Sequence, residues 1–156
     1  MKVAFYIENV FHYTILDPVH ELLKGDFECL VSRDPEAVTA FAPRVIVMAG
    51  GGEFAHFRVE APDALIVWTG HAYVSKNIRG VAVERCDFAC MSSQYQLDEH
   101  RRNGWRPQLG SWVTGFVPID GLVNAAAKDP RSVLPPSLRE SEHILLYGPT
   151  YNTKLT

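Results

Sequence analysis

The sequence predicts an α/β domain with a doubly wound parallel sheet of the Rossmann type. Its apolar runs are short and continuous rather than alternating, which is typical of parallel strands covered on both faces. Segments with helical spacing, bounded by glycine or by capping residues, separate several of these runs. Strands that alternate with helices favour parallel pairing through right-handed connections.

The N-terminal part contains two strand–helix units. Val3–Ile7 is apolar throughout and predicts the first strand. Apolar residues at helical spacing over 13–24, followed by Gly25, predict a helix and its end. Phe27–Val31 predicts a second strand, and a capping residue followed by proline predicts a short helix over 36–41.

Four more strands are predicted downstream, and the first of them runs into a glycine triplet. A polar helix over 94–103 follows a serine pair that suits its N-terminus, and another helix is expected from about 118 to 127. The four predicted strands are Arg44–Ala49, Ala64–Trp68, Phe88–Met91 and Trp112–Gly115.

The pattern changes near residue 128. Residues 128–142 contain three prolines with scattered charges and serines, which is the composition of a linker. A new apolar strand begins at His143, close to the end of the sequence. We therefore expect a Rossmann-like domain over 1–127, a linker over 128–142, and over 143–156 the first strand of a second domain that the chain does not complete.

Composition excludes several classes of function. Fifteen basic and eighteen acidic residues give a net charge of −3, so no overall field favours nucleic acid or anionic lipid. No apolar stretch reaches the ~18 residues of a membrane span. The odd cysteine count, Cys29, Cys86 and Cys90, predicts reduced, buried thiols in a cytoplasmic protein. Neither the cysteines nor the histidines have metal-ligand spacing, and we predict no metal site and no cofactor.

Four segments carry a resemblance to a known family. They are Trp68-Thr69-Gly70-His71, Met91-Ser92-Ser93-Gln94, Val113 to Leu122 with its Gly115-Phe116-Val117-Pro118-Ile119-Asp120 core, and Ile144 to Tyr151. In this order they resemble the CDP-glycerol glycerophosphotransferase family, which builds teichoic-acid-type polymers of the cell envelope. The likeness covers most of residues 64–151. The family's trp-x-his-gly element is inverted here to Gly70-His71, and the third element is one residue longer.

The resemblance implies a GT-B architecture, in which two Rossmann-like lobes face each other across a cleft. This chain would be the N-terminal, acceptor-side lobe, truncated at the start of the donor lobe. It would help to transfer glycerol phosphate from CDP-glycerol to an acceptor hydroxyl on a polyol phosphate or saccharide. The donor would bind mainly to the missing lobe, so we expect the chain alone to be inactive. Family members act on lipid-linked acceptors, which leaves peripheral contact with the cytoplasmic membrane open.

His71 is the predicted catalytic residue. Transfer to a hydroxyl needs a base, and an imidazole with a pKa near its usual ~6.5 serves at cytoplasmic pH. The family's histidine is taken as this base, and His71 lies one position later. The structural alternative is a histidine that bonds the backbone of a turn.

Other candidate ligand-binding residues follow predicted strand ends, where α/β proteins bind their ligands. Lys76 is equally suited to hold a phosphate or to be solvated, and the glycine triplet allows either close approach of a ligand or a flexible connection. The full set of predicted substrate-binding residues is Thr69, Gly70, Ser75, Lys76, Asn77, His12, Gly51, Ser92, Ser93, Gly115 and Asp120.

Two other functions remain open from the sequence. A different GT-B enzyme, a nucleotide-sugar glycosyltransferase or a UDP-N-acetylglucosamine 2-epimerase-like protein, would use the same lobe. An epimerase would need acidic groups near the cleft, for which Glu53, Asp87 and Asp120 are candidates. The third hypothesis is a non-catalytic, flavodoxin-like binding module.

Overall fold

A computed structural model describes residues 1–70, 81–120, 123, 131, 134–141 and 143. The chain divides into two compact units, Met1–Pro118 and Ile119–Thr156. The predicted linker and last strand fall in the second unit, where most of 121–156 lies outside the described residues, and the domain boundaries stay a prediction. Within that unit, a 3-10 turn spans Pro136–Leu138, and the Arg131 guanidinium donates to the carbonyl of Ser141 at 2.9 Å.

The first unit contains a parallel six-stranded sheet flanked by helices, which confirms the predicted fold class. The order of strands is β2-β1-β3-β4-β5-β6. Neighbouring strands are in register at their ends, since Tyr6 lies opposite both Ser32 and Met48, and Met91 lies opposite Val113. The strands are β1 Lys2–Tyr6, β2 Glu28–Ser32, β3 Val45–Met48, β4 Leu65–Trp68, β5 Phe88–Met91 and β6 Gly110–Val113.

Five α-helices are described. The predicted helices at 13–24, 36–41 and 94–103 correspond to the first, second and fifth, and the other two were not predicted from the sequence. They are α1 Tyr13–Leu23, α2 Pro35–Ala40, α3 Phe54–Glu60, α4 Val81–Arg85 and α5 Gln94–Arg102. A 3-10 turn, Val10–His12, leads into α1. A second one, Val117–Ile119, occupies the start of the helix predicted from 118.

The helices are distributed unequally over the two faces of the sheet. Buried side chains of α2 to α5, such as Val38, Phe54, Phe57, Val83 and Leu97, form one core with Ile46, Ile66 and Met91. Ile15 and Leu16 of α1 form the other core with Val3, Phe5 and Val47. Among the described helices, only α1 therefore contributes buried residues to the second face.

Strand β6 begins and ends two residues earlier than predicted. Gly110 and Ser111 have little β propensity, but they pair with Phe88 and Ala89 of β5. The Phe88 ring lies against the backbone of Gly110 and stacks on Trp112, with 4.4 Å between the two ring centres. Packing against β5 thus compensates for the weak local preference.

The ends of the strands define two edges of the sheet, which we call the amino edge and the carboxyl edge. At the amino edge, Asp87 precedes β5 and is buried. Its carboxylate accepts a hydrogen bond from the backbone N–H of Ile66 at 2.7 Å and pairs with the Arg58 guanidinium at 3.0 Å. This contact ties the starts of β4 and β5 to α3.

The longest described helix has 11 residues, whereas a bilayer-spanning helix needs about 20. Within the described ranges, no group of three His, Cys, Asp or Glu side chains could hold a metal ion. Cys29, Cys86 and Cys90 are all free thiols. Burial raises the pKa of the Cys86 thiol to about 12, which makes it unreactive at neutral pH.

Candidate functional site

The candidate site lies at the carboxyl edge, where the strand order reverses. The chain leaves β1 toward β2 on one side, and every later strand is added on the other side, beginning with β3. In open α/β sheets, ligands bind in the crevice at such a switch point. The segments that follow these two central strands are Glu8-Asn9 after β1 and Gly50-Gly51-Gly52 after β3.

The Glu8 side chain lies against the glycine triplet. Its Oε2 atom accepts a hydrogen bond from the backbone N–H of Gly52 at 3.2 Å. A Cβ atom on Gly50 would lie 1.8 Å from the same oxygen, which no side chain permits without movement of Glu8. Position 50 is glycine because a carboxylate approaches its backbone closely.

His12 borders the same space. Its side chain is fully buried, with 0% of its surface exposed, and its ring packs edge-on against Phe11. Its Nδ1 accepts a hydrogen bond from the Asn9 backbone N–H at 3.4 Å. The Cε1 atom lies 2.9 Å from the point where a Gly50 Cβ would be, so the imidazole and the Glu8 carboxylate flank the same glycine.

Tyr6 reports the electrostatic character of this edge. Burial raises the pKa of its hydroxyl, and the carboxylates of Glu53, Glu8 and Asp34 raise it further, while the Arg33 guanidinium opposes them. Three carboxylates and one guanidinium thus act on the end of β1. Among the described residues, the charges that act on Tyr6 are therefore mainly negative.

The end of β4 carries the first element of the family resemblance. Thr69 continues the ladder by donating its N–H to the carbonyl of Met48 at 3.0 Å. Gly70 has a positive φ of 65°, and the Trp68 ring lies 3.3 Å from where its Cβ would be. The backbone of Gly70 thus has a left-handed conformation beside the tryptophan ring, which favours glycine.

The serine pair after β5 is used by α5. The N–H and Oγ of Ser92 both bond to the side-chain carbonyl of Gln96, at 2.7 and 2.8 Å. Ser93 caps the helix by accepting the N–H of Gln96 at 3.2 Å. The predicted capping is confirmed, and these contacts hold both hydroxyls to the start of the helix. After β6, Gly115 is exposed at the same edge of the sheet.

An apolar groove of about 350 Å³ runs along the second face, beside α1. It extends from Leu23 and Phe27 near the amino edge to Thr69 and Gly70 at the carboxyl edge. Its walls are mainly aliphatic and aromatic side chains, so the groove offers no acid–base pair among its lining residues.

The structure brings together part of the predicted site. His12, Gly51, Thr69, Gly70, Ser92, Ser93 and Gly115 all follow strands of the first unit at the carboxyl edge, and Gly51 packs against Phe54 and Ala82. His71, Ser75, Lys76 and Asn77 lie outside the described residues. Asp120 is exposed and belongs to the second unit.

The structure changes the interpretation of two acidic residues, Asp87 and Glu8. Asp87, a candidate acid for an epimerase, lies at the opposite edge and is buried in the ion pair with Arg58. Glu8 was not among the predicted site residues. A charged residue directly after a buried strand was the available signal, but its contact with a loop 44 positions away is tertiary.

Comparison with known proteins assigns no family. No family model matches the sequence, and no curated protein matches it either.

Proposed function

We propose that this chain is the acceptor-side lobe of a GT-B transferase of the CDP-glycerol glycerophosphotransferase type. One observation carries the proposal: three elements of the resemblance follow three adjacent strands. Thr69-Gly70 follows β4, Ser92-Ser93 follows β5 and Thr114-Gly115 follows β6. Segments that are far apart in the sequence thus end at one crevice edge, as residues of a common site would.

The reaction would join an acceptor oxygen to the β-phosphorus of CDP-glycerol. The bond between that phosphorus and the bridging oxygen breaks, and CMP leaves. The proton of the acceptor hydroxyl must pass to a base. His71 follows directly after the Gly70 turn in the sequence, and we assign it this role.

A nucleotide-sugar transferase or epimerase is the second candidate. It is favoured by Glu8 and Glu53, which both act electrostatically on Tyr6 at the switch point. Carboxylates can accept hydrogen bonds from sugar hydroxyls or act as acid–base groups. The two candidates differ in their substrates, so transfer assays with both donors and an epimerisation assay with UDP-N-acetylglucosamine separate them.

The test measures transfer of labelled glycerol phosphate from CDP-glycerol to a glycerol phosphate oligomer. It uses this chain and the chain extended by any coding sequence that follows Thr156. We expect transfer by the extended protein and its loss in His71→Ala. The matched control is His20→Ala, because His20 lies near the end of α1 remote from the carboxyl edge, packed on Phe5.

Transfer from UDP-sugars but not from CDP-glycerol would replace the first candidate with the second. Full activity of His71→Ala would remove the base role from that residue. Transfer from neither donor class, together with no epimerisation of UDP-N-acetylglucosamine, would contradict both candidates.

A further inference from the structure

The glycine triplet after β3 resembles a phosphate-binding loop, but a side chain of the protein already occupies the place of the anion. Glycine-rich loops hold phosphate through backbone N–H groups that point at the anion. Here the N–H of Gly52 donates to the Glu8 carboxylate. We propose that Glu8 is a built-in anion of this loop, and that the switch point consequently binds an uncharged hydroxyl group and rejects phosphate.

The space beside the outer glycines fits the Glu8 carboxylate. The point where a Gly50 Cβ would be lies 1.8 Å from Glu8 Oε2, and the corresponding point of Gly52 lies 2.8 Å from Oε1. The two outer glycines therefore leave a space that the two carboxylate oxygens fill. A phosphate could reach the Gly52 N–H only after Glu8 had left.

Electrostatics supports the same selectivity. Glu53 and Asp34 also act on Tyr6, and the nearby guanidinium, Arg33, offsets only one of the three carboxylates. Among the described residues, no basic side chain lies within ion-pair distance of Glu8. These described carboxylates would repel an incoming phosphate but not an uncharged hydroxyl.

The carboxylate can still accept a ligand hydroxyl. An ionised carboxylate has about four acceptor positions, and within the described part of the chain it uses one of them, for Gly52. Glu8 is partly exposed, so solvent or ligand can reach it. A polyol hydroxyl would donate to Glu8 in a charge-assisted hydrogen bond.

This ligand would be the acceptor in the proposed reaction, and only that identification rests on the proposed function. The loop's preference for a hydroxyl over phosphate is independent of it. Glu8 would then contact the acceptor directly, beside the glycine triplet after β3.

The test follows backbone amide signals of the 156-residue chain by nuclear magnetic resonance during titration with inorganic phosphate. We expect the Gly50–Gly52 amides of the wild type not to respond. In Glu8→Ala, the freed N–H should bind phosphate and show a saturable shift of the Gly52 signal. Glu8→Gln is the matched control, because its amide oxygen can still accept from Gly52, and it should gain no phosphate binding.

A second titration uses glycerol, with 1,2-dimethoxyethane as a control that has oxygen acceptors but no hydroxyl. The wild-type Gly52 signal should respond to glycerol alone. Glu8→Gln should bind glycerol about tenfold more weakly, since a charge-assisted hydrogen bond becomes a neutral one. Equal responses to both compounds would overturn the assigned ligand class.

The built-in anion proposal would be overturned if the wild-type loop bound phosphate. It would also be overturned if no folded Glu8 variant bound phosphate. Signal dispersion checks the fold, and Glu8→Ser replaces Glu8→Ala if the alanine variant does not fold. The titrations require no donor and no turnover. A failed transfer assay would therefore leave their result intact, and failed titrations would leave the transferase proposal standing.

Discussion

Two carboxylates lie at opposite edges of the sheet and make the same first contact. Asp87 at the amino edge accepts a backbone N–H from Ile66, and Glu8 at the carboxyl edge accepts one from Gly52. Asp87 also has a guanidinium 3.0 Å away and is 5% exposed. Glu8 is more exposed, and the charges that act on neighbouring Tyr6 are mainly negative.

The difference indicates a structural role for Asp87, which we call the anchor role, and a ligand-binding role for Glu8. A buried carboxylate with its own cation and N–H donor has its bonding needs met by the protein, so it stabilises the fold. A carboxylate among like charges keeps acceptor positions for something outside the chain. The following changes test this division, from the largest expected effect to the smallest.

Asp87→Ala should be the most destabilising change. It leaves the Ile66 N–H without an acceptor and Arg58 without its counter-ion, and we expect a loss of about 3 kcal/mol in the free energy of unfolding. Urea unfolding followed by circular dichroism measures the change. Asp98→Ala on the exposed side of α5 is the control and should cost under about 0.5 kcal/mol. Equal losses in the two variants would remove the anchor role from Asp87.

Gly50→Ala tests the close approach at the carboxyl edge. The new methyl would displace the flexible Glu8 carboxylate and would lie 2.9 Å from the buried His12 ring, so we expect destabilisation of about 1 kcal/mol in urea unfolding. In a Glu8→Ala background the same change should cost less, because only the His12 contact remains. Gly25→Ala has open space around it and serves as the control. Additive effects of the Gly50 and Glu8 changes would show that the two residues do not interact.

His100 tests how a buried imidazole at the amino-edge end of α5 affects stability. Burial lowers the pKa of its imidazole, although Glu99 opposes the shift. The unfolded chain, with a histidine pKa near ~6.5, therefore binds more protons than the folded chain below that pH. The stabilisation is complete above about pH 6.5 and should decline as the pH falls toward the lower, folded-state pKa.

The measurement is the urea midpoint of wild type and His100→Gln between pH 8 and pH 5. The stability difference between the two proteins should shift in favour of the variant below about pH 6.5. A pH-independent difference would mean that His100 takes up a proton without affecting the fold. This effect should be smaller than those of Asp87 and Gly50, because a single imidazole titrates.

The sequence was sufficient for the sheet but not for the site. Strands such as Val45–Met48 are covered on both faces of the sheet. They therefore form continuous apolar runs that can be recognised in the sequence. Helix α3 was missed because it has seven residues, too few for a clear period, and two of them are phenylalanines, which also suit strands. Its position was fixed by tertiary burial of Phe54 and Phe57.

The same limit applies to the candidate site. The position of Thr69 and Gly70 at the carboxyl edge could be predicted because the apolar run of β4 ends there. Glu8 could not be predicted, because its contact with the glycine triplet exists only if β3 lies beside β1. Nothing local indicates that β3, rather than another strand, lies beside it.

The indole ring beneath Gly70 offers an optical view of the carboxyl edge. The Nε1 of Trp68 is buried and has no hydrogen-bond partner among the described residues. An unbonded, shielded indole emits at shorter wavelength than a solvated one. The sequence has three tryptophans, and replacing Trp105 and Trp112 with phenylalanine leaves Trp68 as the single fluorophore. A change in emission on titration with a ligand would then report, in real time, that the turn after β4 has moved.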